Sequence, residues 1–223
     1  MDVSPILISM KTAGLSILIT FFLGILAAWA VLRIKNRTWQ LIWDGILTLP
    51  LVLPPTVAGF FLLYIFGVKR PVGKFFIDYF SVKIAFSWGA TVLAAVLMSF
   101  PLMYRSARGA FEQVDENLVY AARTLGMSEW KIFRTVLLAN AVPGIVGGGV
   151  LAFARGLGEF GATAMIAGNI AGKTRTLPMA VYSEVAAGNM DTAYQYVLII
   201  VVIAFLSVIL MNIVGVKHEQ KRR

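Results

Sequence analysis

Five apolar blocks, each about the length of a bilayer-crossing helix, constrain this chain more than any other feature: residues 13–32, 46–68, 84–104, 137–157 and 194–215. At 1.5 Å of rise per residue, about twenty residues match a hydrocarbon layer roughly 30 Å thick. Lipid offers no partner to a bare peptide group, so such blocks must be helices. The reading is an all-α, polytopic membrane helix bundle with about five spans, or six with a further short segment, forming one domain over residues 1–223. A sixth apolar segment, 160–170, is too short to cross unaided. Composition agrees: 59% of the 223 residues are hydrophobic, 14% are charged, and the mean hydropathy is +0.80. Soluble domains hold about 45–50% apolar and about 25% charged residues, which excludes a water-soluble enzyme. There is no cysteine and a single histidine, His218. A disulfide framework, a thiolate zinc site and a thiol nucleophile are therefore excluded, and no metal-ligand or catalytic set stands out within the spans.

The net charge of +9 follows the membrane rather than nucleic acid. Lys11 faces Asp2 before the first block, whereas Arg33, Lys35 and Arg37 crowd its far end, so the N-terminus is expected outside and the C-terminus in the cytoplasm. Ala28-Trp29-Ala30 after an apolar run is also what a cleavable leader shows, but the basic flank such a leader needs is nearly absent. With N outside, the inner segments hold Arg105, Arg108, Arg123, Lys131, Arg134 and the tail Lys217, Lys221, Arg222, Arg223, besides the first three. Lys69, Arg70, Lys74, Lys83, Lys173 and Arg175 join Lys11 outside. Pro50, Pro54 and Pro55 interrupt the second block. Each removes a backbone donor and blocks the preceding turn, as either a packing kink or a break lining a pathway.

The hydrophilic stretch of about 105–134 has the pattern of two short helices. Asp115 can cap a helix with Glu116 in its first turn; Leu118, Ala122 and Leu125 then fall on one apolar stripe. Gly126 can end it in the left-handed conformation, and Ser128 can cap a second helix running through Trp130, Ile132 and Phe133 into the fourth block. This loop either lies at the lipid interface or docks on a protein, and its small Ala121 and Ala122 suit close approach to a protein. Tyr120-Ala121-Ala122-Arg123-Thr124-Leu125-Gly126, between the third and fourth blocks, resembles the coupling loop of ABC importer permeases, which docks into a cleft on a cytoplasmic ATPase. The family motif has an acidic residue where this chain has Tyr120, and a Leu-Pro where it has Leu138-Ala139. The resemblance implies that Tyr120, Ala121, Ala122, Leu125 and Gly126 carry the coupling.

Two nucleotide-site look-alikes lack their structural context. Gly156-Leu157-Gly158-Glu159-Phe160-Gly161 fits a dinucleotide fingerprint by letter, but it ends a membrane span rather than joining a strand to a helix. Ala167 to Thr174 nearly fits a phosphate-binding loop, yet Pro178 follows too soon for the required helix. Arg155 and Glu159, four residues apart near the end of an apolar block, share a helix face and can pair. The pair either fixes the fold or lets Glu159 hold Arg155 beside an anion route, with Gly156, Gly158 and Gly161 letting the backbone bend. Lys173-Thr174-Arg175-Thr176 adds a basic, hydroxyl-bearing turn that suits an oxyanion. Gly144 and Gly148 give a small face for close helix packing.

Ala154 to Ala162, with Gly168, Thr176-Leu177-Pro178 and Tyr182, resembles the signature of the sulfate and molybdate permease group, and residues 49–59 resemble its molybdate branch. The resemblance covers roughly residues 10–215. It implies an inner-membrane permease that moves molybdate, or tungstate or sulfate in its place. It also implies two copies lining one pathway, two ATPase subunits carrying the ATP and magnesium, and an extracytoplasmic oxyanion-binding protein. No cofactor on this chain and no nucleic-acid partner are expected. A stand-alone channel or secondary transporter would need a second broken helix to match the proline-rich one, and the sequence shows none.

Overall fold

Prolines and polar caps set where each helix begins. The computed structural model describes residues 1–222, apart from the side chains of Asn212 and 214–222. The basic tail from Lys217 to Arg223, with His218, therefore lies outside the described side chains. The elements are α1 (Ser4–Leu32), α2 (Arg37–Val52), α3 (Pro55–Phe66), α4 (Pro71–Phe80), α5 (Trp88–Glu112), α6 (Glu116–Thr124) and α7 (Glu129–Ile132). A π turn (Phe133–Leu137) follows, then α8 (Leu138–Leu157), α9 (Gly161–Ala167), α10 (Leu177–Ala186) and α11 (Met190–Arg222). Among the described residues there is no strand. Pro5, Pro55, Pro71 and Pro178 occupy first turns, where a missing N–H costs nothing. Asn36 caps α2 and Ser87 caps α5 through side-chain oxygens.

Four helical stretches are long and apolar enough to cross a membrane: Ser4–Leu32, Trp88–Glu112, Glu129–Leu157 and Met190–Met211. The second block is two helices, α2 and α3, bent by 109°. The break falls at Pro54 and Pro55, whereas Pro50 sits inside α2. The block at 160–170 contributes only the seven-residue α9. Helix α1 begins nine residues before the apolar block, because its polar residues face protein instead of water. Helix α5 runs two turns past the expected end, so the hydrophilic loop is shorter than 105–134: Arg108 and Glu112 pair one turn apart at 2.9 Å within the helix.

Helices α1, α5 and α8 form the centre. Ser9, Thr12, Ser16 and Thr20 make a buried hydroxyl stripe along α1. The Oγ1 atoms of Thr12 and Thr91 lie 2.8 Å apart, Trp88 Nε1 donates to Thr12 at 3.1 Å, and Ser9 Oγ accepts from Leu177 N at 2.7 Å. Short side chains that satisfy one another across helices replace the hydrophobic drive that lipid removes. Gly144 and Gly148 of α8 approach Ala110 and Ser106 of α5. At one end of the bundle an aromatic cluster joins four elements: Trp29 stacks on Phe133 with centroids 4.6 Å apart and meets Trp130 at 5.7 Å, and Phe111 meets Phe133 at 5.9 Å.

Helix α3 crosses α9 almost backbone to backbone. A Cβ on Gly59 would stand 2.6 Å from Ala162 Cα, a contact that no side-chain rotation relieves. Gly59→Ala should therefore destabilise the protein by about 1–3 kcal/mol. Gly45→Ala on the open side of α2, where a Cβ meets nothing within 4 Å, should stabilise it by up to about 1 kcal/mol. Thermal unfolding midpoints of the detergent-extracted variants check this opposition of sign.

Candidate coupling surface and anion path

The turn expected to carry coupling is locally determined. Asp115 Oδ1 accepts from Asn117 N at 2.9 Å and starts α6. The helix ends where Gly126 takes φ +71° and its N–H donates to Arg123 O at 2.9 Å, a conformation glycine adopts without steric cost. Ser128 then caps α7, and Arg123 binds the Glu129 carboxylate through Nε at 2.8 Å and Nη2 at 3.3 Å, tying α6 to α7. The expected apolar stripe divides: Ala122 is buried, while Leu118 and Leu125 point outward, Leu125 being 80% exposed. Ala121 and Tyr120 are also exposed. The turn thus packs inward through one small residue and presents Leu118, Tyr120 and Leu125 outward, the kind of apolar patch a partner covers.

The second candidate region is a meeting of two breaks. Arg155, in the last turn of α8, donates from Nη1 to Glu159 Oε2 at 2.6 Å. The other carboxylate oxygen of Glu159 accepts from Ala162 N at 2.8 Å and so serves the first turn of α9, where backbone donors lack helical partners. Glu159 is 2% exposed, whereas the Arg155 side chain keeps 27% exposure. The sequence offered no second broken span to match the proline break, and among the described residues α2 with α3 is the one bent pair, but a second helix break lies against it. A Cβ on Gly161 would lie 2.9 Å from Pro55 Cβ, so the break between α8 and α9 rests on the break between α2 and α3. Gly156 is buried against Ser16, and Gly158 caps α8.

Lys173 and Arg175 are not joined to this pair among the described hydrogen bonds and ion pairs. Arg175 Nε donates to Asn169 Oδ1 at 2.8 Å, Lys173 is exposed, and Thr174 is buried with its hydroxyl accepting from Ile170 N. Arg175 also lies close enough to Asp2 to help hold that carboxylate below its ordinary range, after the larger effect of Ser4 donating to it from hydroxyl and amide. The basic turn is in this way already partly answered by an acid. Sequence reasoning missed a second polar group altogether. Asp44 of α2 pairs with Arg108 and accepts from Tyr104 Oη at 2.8 Å, across a sequence separation of 60 residues that no local pattern signals. Arg108 binds Glu112 as well, so one guanidinium clasps α2 onto α5.

A family profile described as binding-protein-dependent transport system inner membrane component matches residues 20–223. The molybdenum transport system permease protein ModB of Escherichia coli K12 is 44% identical over 206 residues, covering 92% of this chain and 90% of that protein. ModB of Haemophilus influenzae is 37% identical over 222 residues, covering 99% and 96%. The putative molybdenum transport system permease protein YvgM of Bacillus subtilis is 40% identical over 204 residues, covering 91% and 89%. Among solved structures, a chain of the inward-facing MetNI methionine ABC transporter shares the fold with a TM-score of 0.68 at 18% identity, over 95% of both chains. A bacterial ABC transporter that imports alginate does so with a TM-score of 0.73 at 14% identity, over 99% of this chain and 79% of that one. With the profile reaching from residue 20 to the last residue and these relatives matched nearly end to end, the chain belongs to the family of binding-protein-dependent transport system inner membrane components.

Proposed function

We propose that this chain is the permease subunit of an ATP-driven molybdate importer. The observation that carries the reading is the 44% identity to a molybdenum permease over about nine-tenths of both chains. The coupling turn supports it: a capped helix with outward Leu118, Tyr120 and Leu125 suits docking on a cytoplasmic ATPase subunit. Two copies of the chain would line one path, two ATPase subunits would hold the ATP and magnesium, and an extracytoplasmic binding protein would deliver the oxyanion. In this reading the N-terminus lies outside and the C-terminus inside, as the distribution of Lys and Arg suggests. Closure of the ATPases would pull on α6, and the aromatic cluster of Trp29, Phe111, Trp130 and Phe133 would pass that pull to α1, α5 and α8, a coupling of distant sites through rigid elements. The paired helix breaks also suit a stand-alone secondary transporter, but the family match weighs against it. Tagged protein, gently extracted from its membrane, should bring down an ABC ATPase. The reconstituted complex should take up molybdate only with ATP and a loaded binding protein; uptake without an ATPase would sink the importer reading. Sulfate or tungstate outcompeting molybdate on the binding protein would move the substrate within the family.

A further inference from the structure

Between α5 and α8, with Met211 of α11 at its edge, lies a cavity of about 430 Å³. Its α5 wall carries Arg105 and Gly109, four residues apart and hence on one helix face, with the cap residue Gln113 a further four along; its α8 wall carries Asn140, Gly144 and Gly147. Ala141 and Gly148 of α8 also line it and are buried, and Ile145 between them is buried in the bundle. The lining is mixed: Ala110, Val114, Pro143 and Met211 stand beside a guanidinium, amides and uncovered glycine backbone, and those polar groups are unsuited to acyl chains, so this face of the two helices meets water or protein.

The arginines single out one member of that wall. Arg108, Arg123 and Arg155 are ion-paired, Arg33 and Arg70 lie over aromatic rings, and Arg37 and Arg175 bind side-chain amides. Among the described arginines only Arg105 and Arg134 have no such partner, and Arg134 lines an apolar groove. Arg105 lines the polar cavity. The α8 wall also continues: Asn140, Gly144, Gly147, Leu151 and Arg155 follow one another by three or four residues, and none is buried. This stripe is roughly 22 Å long at 1.5 Å per residue. It leads from the paired helix breaks to the cavity, with Leu151 as its one apolar step.

We infer that the cavity is a second anion-binding station on the transport path, in which Arg105 contacts the tetrahedral oxyanion after it has passed Arg155. The inference rests on the importer reading. An unpaired guanidinium offers charge-assisted donors in a planar fork that matches two oxyanion oxygens. Ser106, Gln113 and Asn140 border it with neutral polar groups; one amide proton of Asn140 is already given to Val136 O at 2.7 Å. Arg105 is the one charged residue lining this cavity, although on its other side it borders the paired Asp44, Arg108 and Glu112. A single cation so placed holds a dianion weakly, which is what conduction requires, since a station must also release.

The chain has no cysteine, so one placed in the groove reports alone. Gly147→Cys is suited because a Cβ there meets nothing within 4 Å. In the purified complex with its ATPase, that thiol should react faster with an anionic sulfonate thiosulfonate than with a cationic trimethylammonium one. Adding Arg105→Gln should lower the anionic-to-cationic rate ratio about three- to tenfold, as expected for one charge felt through water at roughly 6 Å, and Arg105→Lys should restore it. Millimolar molybdate should slow modification when residue 105 is Arg or Lys and not when it is Gln. An unchanged ratio, or equal protection in the Gln variant, overturns the station. In proteoliposomes, Arg105→Gln should reduce molybdate uptake several-fold with ATPase co-purification intact, and wild-type uptake there would overturn it too. Absence of molybdate uptake by the unmodified complex would instead count against the importer reading, while the rate ratio still decides whether Arg105 faces the groove.

Discussion

Glu159→Ala should be the most damaging single substitution in the membrane interior. It removes the partner of Arg155 and the acceptor of Ala162 N together. Breaking a buried ion pair by deleting one member costs about 3–5 kcal/mol, a large share of a total stability of about 5–15 kcal/mol. Folded yield and the thermal midpoint in detergent should both fall sharply. Replacing both members by apolar residues of similar volume removes that penalty, so Arg155→Met with Glu159→Leu should recover much of the stability. Under the proposed role of Arg155 in the anion path, the double variant should fold, bind the ATPase and fail to take up molybdate. Wild-type uptake by the recovered protein would reduce the pair to a structural clamp.

At the other end of the molecule, Gly126→Pro should abolish ATPase co-purification while leaving the chain inserted in the membrane. Proline fixes φ near −65° and has no N–H, whereas Gly126 requires φ +71° and donates to Arg123 O. The last turn of α6 would be rebuilt and the outward residues displaced. Ala122→Trp should do the same by lifting α6 off its seat, since Ala122 is buried. Leu125→Ala separates docking from folding: the side chain is 80% exposed and its loss disturbs no packing. If it anchors the ATPase, truncation should cost at least about 1–2 kcal/mol of binding, roughly a tenfold weaker association, read by titrating the purified ATPase onto the reconstituted permease. Undiminished binding of both Gly126→Pro and Leu125→Ala would place the docking surface elsewhere.

What was legible in the sequence was whatever depends on neighbours along the chain. Asp115, Ser128 and Gly126 announced their caps and stop because those conformations are decided within three or four residues, and the Arg155–Glu159 contact follows from helical spacing. Hydropathy located the spans but misplaced their ends wherever a polar residue faces protein. Ser9 and Thr12 look like water-facing residues before a span and are instead its inward stripe; Arg105 to Glu112 look like a loop and are the end of α5. Contacts between distant segments left no local trace: Asp44 on Arg108, Gly161 on Pro55, and Asp2 near Arg175. The stripe from Asn140 to Arg155 was hidden for a related reason. Gly144 and Gly148 read as packing residues, and only the placement of α5 shows that Gly148 is buried while Gly144, with Gly147, also borders open space.

The π turn at Phe133–Leu137 has a consequence for how α6 and α7 are aligned with α8. Along an uninterrupted α-helix at about 100° per residue, Phe133 and Ile145 would point about 120° apart. A π turn takes up one additional residue per turn, so the same pair is brought to within about 20°. Phe133, in the aromatic cluster, and Ile145, in the bundle centre, are thereby buried on the same side of one continuous rod, and the stripe bearing Asn140 and Arg155 is left facing away. The extra residue is an angular offset built into the rod: under the proposed coupling role it would set the direction in which torque applied at α6 displaces the face along which the anion is proposed to move.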